Sequence, residues 1–350
     1  LTLFVLGLSA IFALAYLLLR MAFVTLNLPE YVRSFRKERA VSKGRAAMME
    51  ALRAYFEGRF AAAEKAAVRA MELGENSGLN PIVAARAAHE QREFDKRDTY
   101  LAQAEGKSVG ESTMRLMAKA EFLLDQKQPQ SALSSLKELS DSGMHKHIGA
   151  LSLELKAQQQ ARNWDAVLEV MTQLEKRNAI DKVVAEQMRQ QAWLEKLAAQ
   201  TTDLAVLRTV WKSVPGEFKR RSKIAAVAAK AFGKLGDCQS AQQVLAESLN
   251  AQWDGELVML FGECHGDNNI AQIDQAERWL KVHTDDPGLM LALGKLCMHQ
   301  KLWGKAQSYL DASLSLKTSR AAFTALGQLA EKMGKPEHAL AYFQKASQVQ

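Results

Sequence analysis

Two stretches near the C-terminal end of the 350-residue chain repeat each other at an offset of 33 residues. The first reads Leu293-Gly294, Cys297, Trp303, Ala306, Leu310, Ser313. The second reads Phe323, Leu326-Gly327, Ala330, Gly334, Ala339, Phe343, Ala346. Leu293 maps onto Leu326 and Ala306 onto Ala339, so two positions keep one register. A fixed period of this length marks stacked units, each too small to bury its apolar face alone. Composition makes the units helical. Only 6 Pro and 7% aromatic residues occur, and Ala, Leu, Gln, Lys and Glu dominate. These residues lose little side-chain freedom in a helix. No stretch alternates apolar and polar residues with β-branched enrichment, so no sheet is expected.

The spacing follows the tetratricopeptide pattern, in which a small residue on one helix meets an Ala on the next, with a bulky residue four places later. Small residues are required because the two helices of a pair cross closely. Further copies occur at Ala229, Phe232, Gly236, Ala241, Leu245 and at Ala51, Ala54, Gly58, Phe60, Ala63, Ala70. Weaker copies start near Ala85, Ala120 and Leu155. In the Ala85 copy Arg97 stands where Ala is expected, which predicts an irregular or splayed pair. Residues 183–215 read as a helix pair without the signature, and residues 256–284 fit it loosely.

Leu1 to Leu19 carries no charge, and Met21 to Leu28 continues the apolar run past Arg20. About 20 apolar residues span a bilayer core of roughly 30 Å, and Arg20 can snorkel to the interface. A cleaved signal peptide is the rival reading, with Ala13-Leu14-Ala15 resembling a cleavage site. Against it, no basic segment precedes the run, and the run continues beyond that site. The net charge of +7 is concentrated next to this segment: seven basic residues from Arg20 to Arg45, among them Arg33, Arg36, Lys37 and Arg39, face two acidic ones. A membrane flank explains the surplus better than a nucleic-acid face, and no nucleic acid is expected as a partner. The positive-inside rule then places the repeats in the cytoplasm. The expected organisation is a transmembrane helix over 1–28, a basic juxtamembrane segment over 29–45 and a superhelical repeat domain over 46–350. The fold class is all-α: a tetratricopeptide-like (TPR) helical-pair solenoid with an N-terminal transmembrane helix, the lipid bilayer being one partner.

No Gly-x-Gly-x-x-Gly, no phosphate-binding loop of the Walker type and no His-Glu-x-x-His is present, which argues against nucleotide, flavin or nicotinamide sites and the common zinc hydrolases. No catalytic residue, cofactor ligand or metal ligand is assigned. Cys238, Cys264 and Cys297 are far apart and odd in number, so they read as small core residues in a reducing compartment rather than as a disulfide or zinc set. His145 and His147 read as loop residues, as does the turn after Cys264-His265. Asp286, before Pro287, reads as a helix cap. The run Lys219-Arg220-Arg221-Ser222-Lys223 reads as opening a helix, where cations oppose the helix dipole. Together with Trp193 and Trp211 it forms a candidate site for a carboxylate or an acidic partner; the alternative is a solvated face.

A transmembrane helix, an Arg-rich flank and degenerate tetratricopeptide pairs, with Gln190-Gln191-Ala192-Trp193, Leu207-Arg208 and Trp211-Lys212 in the middle, resemble the HemY family of proteobacteria. The resemblance covers nearly the whole chain. It implies an inner-membrane protein associated with a late step of protohaem biosynthesis. Family members usually carry two membrane helices, so the Leu at position 1 implies that one precedes it. The family offers no catalytic residues to transfer, and the unrelated flavin-dependent oxidase that shares its name is excluded by the missing dinucleotide fingerprint. The implied function is a non-enzymatic scaffold for haem-pathway enzymes such as ferrochelatase, with direct haem or porphyrin binding left open. A general envelope-assembly or quality-control adaptor is the alternative.

Overall fold

Left-handed residues punctuate the turns inside the helix pairs. Gly58, Gly236 and Gly334 take φ of 75°, 80° and 74°, and at the equivalent turns Arg92, Lys127, Arg162 and Lys301 take 62°, 59°, 56° and 59°. Each reverses the chain with the same bond: the amide of the next residue returns to the carbonyl five residues before it. Asp237 N reaches Phe232 O at 3.0 Å and Leu302 N reaches Cys297 O at 2.9 Å. Such a turn satisfies carbonyls that the helix end would leave unpaired.

The computed structural model describes the backbone of residues 2–75, 78–104, 109–141, 147–200, 202–265 and 269–349. Side chains are described there except at 2–6, 8–11, 22, 24–34, 109–111 and 269. Among the described residues every regular element is a helix: α1 (Thr2–Phe56), α2 (Phe60–Glu72), α3 (Leu79–Glu90), α4 (Phe94–Gln103), α5 (Val109–Asp125), α6 (Pro129–Leu139), α7 (Ile148–Gln160), α8 (Trp164–Lys176), α9 (Lys182–Ala199), α10 (Leu204–Ser213), α11 (Gly216–Lys219), α12 (Ser222–Lys234), α13 (Cys238–Ala251), α14 (Gly255–Glu263), α15 (Asn269–Leu280), α16 (Pro287–His299), α17 (Trp303–Leu316), α18 (Arg320–Lys332) and α19 (Pro336–Gln348).

Two compact units divide the chain at Ala166 and Val167. In the first, α1 packs on α2, α3 on α4 and α5 on α6, and α3 contacts both α1 and α5. Its core is a series of small clusters rich in Ala, such as Ala51, Ala67, Ala70 and Ala84. The second unit has one continuous core from Trp193 to Leu329. There α12/α13, α16/α17 and α18/α19 form close pairs, while α9, α12, α14, α16 and α18 touch in succession. Helix pairs of this kind are the expected tetratricopeptide-like architecture.

Close crossing rests on glycines. A Cβ on Gly294 would lie 2.5 Å from Leu310 Cδ2, and one on Gly262 would lie 2.8 Å from Ala292 Cα. Ala306 and Ala339, at the close-contact position of α17 and α19, are buried. Burying a residue such as Leu310 contributes about 1.5–3 kcal/mol, and the neighbouring glycine lets it sit against backbone.

Among the described residues no helix is long and apolar enough to cross a membrane. The span expected over 1–28 falls largely on side chains outside the described set, as does that of Arg33. Arg36, Lys37 and Arg39 are exposed on α1, which runs unbroken into the first repeat. His145 and the turn at 266–268 also lie outside the described residues.

Candidate functional site: a groove across four helix starts

The N-cap residues of α12, α14, α16 and α18 are Arg221, Asp254, Asp286 and Ser319. They recur at intervals of 33, 32 and 33 residues, so the four helices begin at one level. Three of the caps hold their own helices: Asp254 accepts from Glu256 N, Asp286 from Leu289 N at 3.0 Å and Ser319 from Ala322 N at 3.1 Å. Asp286 is thus the cap that the sequence suggested. Its second oxygen accepts the Trp253 indole N–H at 2.8 Å, and that indole stacks on His283 with centroids 3.7 Å apart. One carboxylate therefore joins a cap to the preceding repeat.

Between these helix starts lies a groove of about 940 Å³. Leu194, Val227, Leu257, Met259 and Leu291 give it an apolar floor, and Lys223, Lys317 and Glu256 carry charge at its margin. With two of its acids engaged in capping, the margin offers two ammonium groups and one carboxylate. Ser313, which lines the groove, donates to Pro287 O at 2.8 Å, and Ser248 donates to Arg220 O at 3.1 Å. These buried hydroxyls fix each second helix to the start of the first. The arrangement suits an extended or helical segment with apolar side chains and acidic flanks. Among the described residues no group of three or more metal-binding side chains occurs.

The residues proposed from sequence are dispersed rather than gathered. The basic run does not open one helix. Lys219 ends α11, Arg220 and Arg221 form the junction, and only Lys223 lies inside the first turn of α12. Lys219 and Arg220 thus stand at a helix C-terminus, where cations are favoured. Arg221 is spent internally: it bonds Glu186, reaches Gln190 Oε1 at 2.7 Å and covers the Phe218 ring at 4.7 Å. Trp193 is buried, with Lys196 over it at 5.2 Å; it therefore provides core volume and not the flat open surface expected of it. Trp211 is half-buried beneath Lys219 at 5.4 Å. Of the six, Lys223 alone lines the groove.

The middle segment that carries the family resemblance forms joints. Arg208 donates to Asp237 Oδ2 through Nε at 3.0 Å and Nη2 at 2.6 Å. Asp237 also caps α13 and accepts the Ser240 hydroxyl at 2.7 Å. Burial would raise this carboxyl, but the bonds from Ser240 and Arg208 outweigh it and hold it below the usual carboxylate value. Next to it the cysteine reading requires correction. Cys238 and Cys264 form a disulfide with Cα atoms 5.4 Å apart, because the start of α13 meets the loop after α14. Cys297 is free and buried, and burial pushes its thiol up to about 11. The groove itself was not assigned from sequence. The signal was there in the caps, since Asp254-Gly255, Asp286-Pro287 and Ser319-Arg320 repeat a polar cap before each first helix.

Residues 1–92 match the family model described as HemY protein N-terminus. Protein HemY of Escherichia coli (strain K12) is 22% identical over 341 residues, covering 96% of this chain and 84% of that protein. Protein HemY of Shigella flexneri matches with the same figures. Among solved structures, the APC/C hetero-tetramer Cut9-Hcn1 is similar with a TM-score of 0.35 and 13% identity over 89% of this chain and 67% of that one. Naa15/Naa10 bound to HypK-THB gives 0.35 and 13% over 84% and 51%. The N-terminal match and the similarity along nearly the whole sequence agree with the residues read above, and the chain is similar to proteins of the HemY family.

Proposed function

We propose that this helical-repeat protein is a membrane-anchored scaffold, not an enzyme, that holds a protein partner in the groove of its second unit. The groove at the helix starts carries the reading: an apolar floor, with two lysines and Glu256 at the margin. Similarity to the HemY family supports a role in a late step of protohaem biosynthesis, with a pathway enzyme such as ferrochelatase as the partner. The apolar segment 1–28 and the basic flank support an inner-membrane anchor, with residues 46–350 on the cytoplasmic side. The test is the affinity of the purified chain for ferrochelatase, wild type against Lys223→Glu with Lys317→Glu, at two salt concentrations. A loss of tenfold or more with unchanged helix content is expected, since a charge-assisted contact contributes roughly 1.5–3 kcal/mol. Equal affinity would remove the groove from the interaction.

The Cys238–Cys264 bond favours a second placement, with the repeats on the oxidising side of the membrane. Protease added to intact spheroplasts separates the two: residues 46–350 survive if cytoplasmic and are cut if they face outward.

A further inference from the structure

The first unit holds a second cavity, of about 510 Å³, between α4 and α5. It arises where Arg97 occupies the position that Ala63, Ala132, Ala306 and Ala339 hold in other pairs. Each of these residues has its amide bonded to the carbonyl four residues back, at the head of the second helix. A guanidinium thus sits where most pairs hold a methyl. Arg97 is 7% exposed and lies over the rings of Phe94 and Phe122 at 5.0 and 5.6 Å. Its charge is already balanced, because Nε and Nη2 both lie 2.7 Å from Asp98 Oδ1.

The second cation is not balanced in this way. Arg115 lines the same cavity, and its buried Nε has no hydrogen-bond partner. Its Nη2 forms an ion pair with Glu138 Oε1 at 3.7 Å, too long for a hydrogen bond. A buried guanidinium N–H without an acceptor carries a desolvation penalty of about 1–3 kcal/mol or more, and such a group calls for an explanation. Lys119, one turn on, also lines the cavity, followed on the same face by Phe122 and Leu123. Leu101 faces them from α4. Two cations and an apolar wall, beside the Arg97–Asp98 pair, form an amphipathic receptor, and its volume is that of a small-molecule site.

We propose that this cavity binds a small molecule carrying a carboxylate or phosphate on an apolar body. Arg115 and Lys119 take the oxyanion. Phe122 and Leu101 take the apolar part. Arg97 is a positioning residue that holds the aromatic wall apart. The site is separate from the partner groove and does not depend on it.

The test is equilibrium titration of the purified full chain in detergent, against a micelle-only blank, with benzoate, phenyl phosphate and uncharged benzyl alcohol. At least one anion is expected to bind tenfold or more tightly than benzyl alcohol, and the better of the two identifies the oxyanion. Arg115→Gln and Lys119→Gln should each weaken it about tenfold, while Lys281→Gln, an exposed residue of the second unit, should not change it. Lys119 is exposed, so its variant keeps the fold and decides alone if Arg115→Gln loses helix. Absence of binding by either anion, equal binding of benzyl alcohol, or affinity unchanged in the Lys119 variant would overturn the proposal.

Discussion

The ring of Phe343 lies against the backbone of Gly327, so that a Cβ on the glycine would fall 2.6 Å from ring carbon Cε1. The same relationship holds one repeat earlier between Gly294 and Leu310, both offset by 33. Close crossing in the C-terminal pairs therefore depends on a missing methyl group. Gly327→Ala should destabilise the C-terminal pair by about 1–3 kcal/mol through overpacking. Gly304, on α17 with nothing within 4 Å of its Cβ position, gives the control: Gly304→Ala should stabilise by up to about 1 kcal/mol from helix propensity. Ala339→Leu should behave like Gly327→Ala, and Gln344→Leu, on the exposed face, should be near neutral. Urea midpoints measure all four. Equal midpoints would show that the wrong face has been assigned.

Lys301 takes a left-handed conformation at a turn where Gly236 and Gly334 stand in neighbouring pairs. A side chain there carries a penalty of roughly 1 kcal/mol. Lys301→Gly should raise the unfolding midpoint, whereas Gly334→Lys should lower it. Thermal melts of the two variants moving in the same direction would contradict this.

Asp237 gives a pH signature. Its folded-state carboxyl titrates below the ordinary value of 3.8, so its contribution is complete above that value and fades as pH falls through the lower folded value. Arg208 is half exposed, which limits the pair to about 1 kcal/mol. Asp237→Asn should therefore be less stable than wild type near pH 6, and the gap should close as pH falls below the ordinary value of 3.8. No gap near pH 6 would show that the cap, which Asn also provides, is all that matters.

The disulfide and the buried thiol are counted together. Chain isolated without reductant should show no reactive thiol when folded, one (Cys297) on unfolding, and three after reduction. The bond closes 26 residues of chain, so reduction should lower stability by about 3 kcal/mol. Three thiols on unfolding without reductant would restore the reading of a reducing compartment.

Much of the repeat architecture is legible in the sequence, because Ala and Gly at helix crossings admit few replacements. The weaker copies are obscured for an identifiable reason. Arg92, Lys127 and Arg162 take a conformation in which Gly is expected, so the turns persist without their marker. The disulfide was invisible because two distant cysteines meet only through the stacking of α13 on the loop after α14. The basic run was misplaced by a short helix: four residues, Gly216–Lys219, shift Lys219 and Arg220 from a helix start to a helix end. Trp193 reads, together with the basic run, as a flat apolar surface, yet its surroundings on α9 bury it.

The groove is tested by photo-crosslinking in cells, with a benzophenone side chain at Met259 on the groove wall or at exposed Gln243 on α13. An adduct containing ferrochelatase or another haem-pathway enzyme is expected from position 259 and none from 243. The same adducts from both positions, or adducts from 243 alone, would contradict a partner held in the groove.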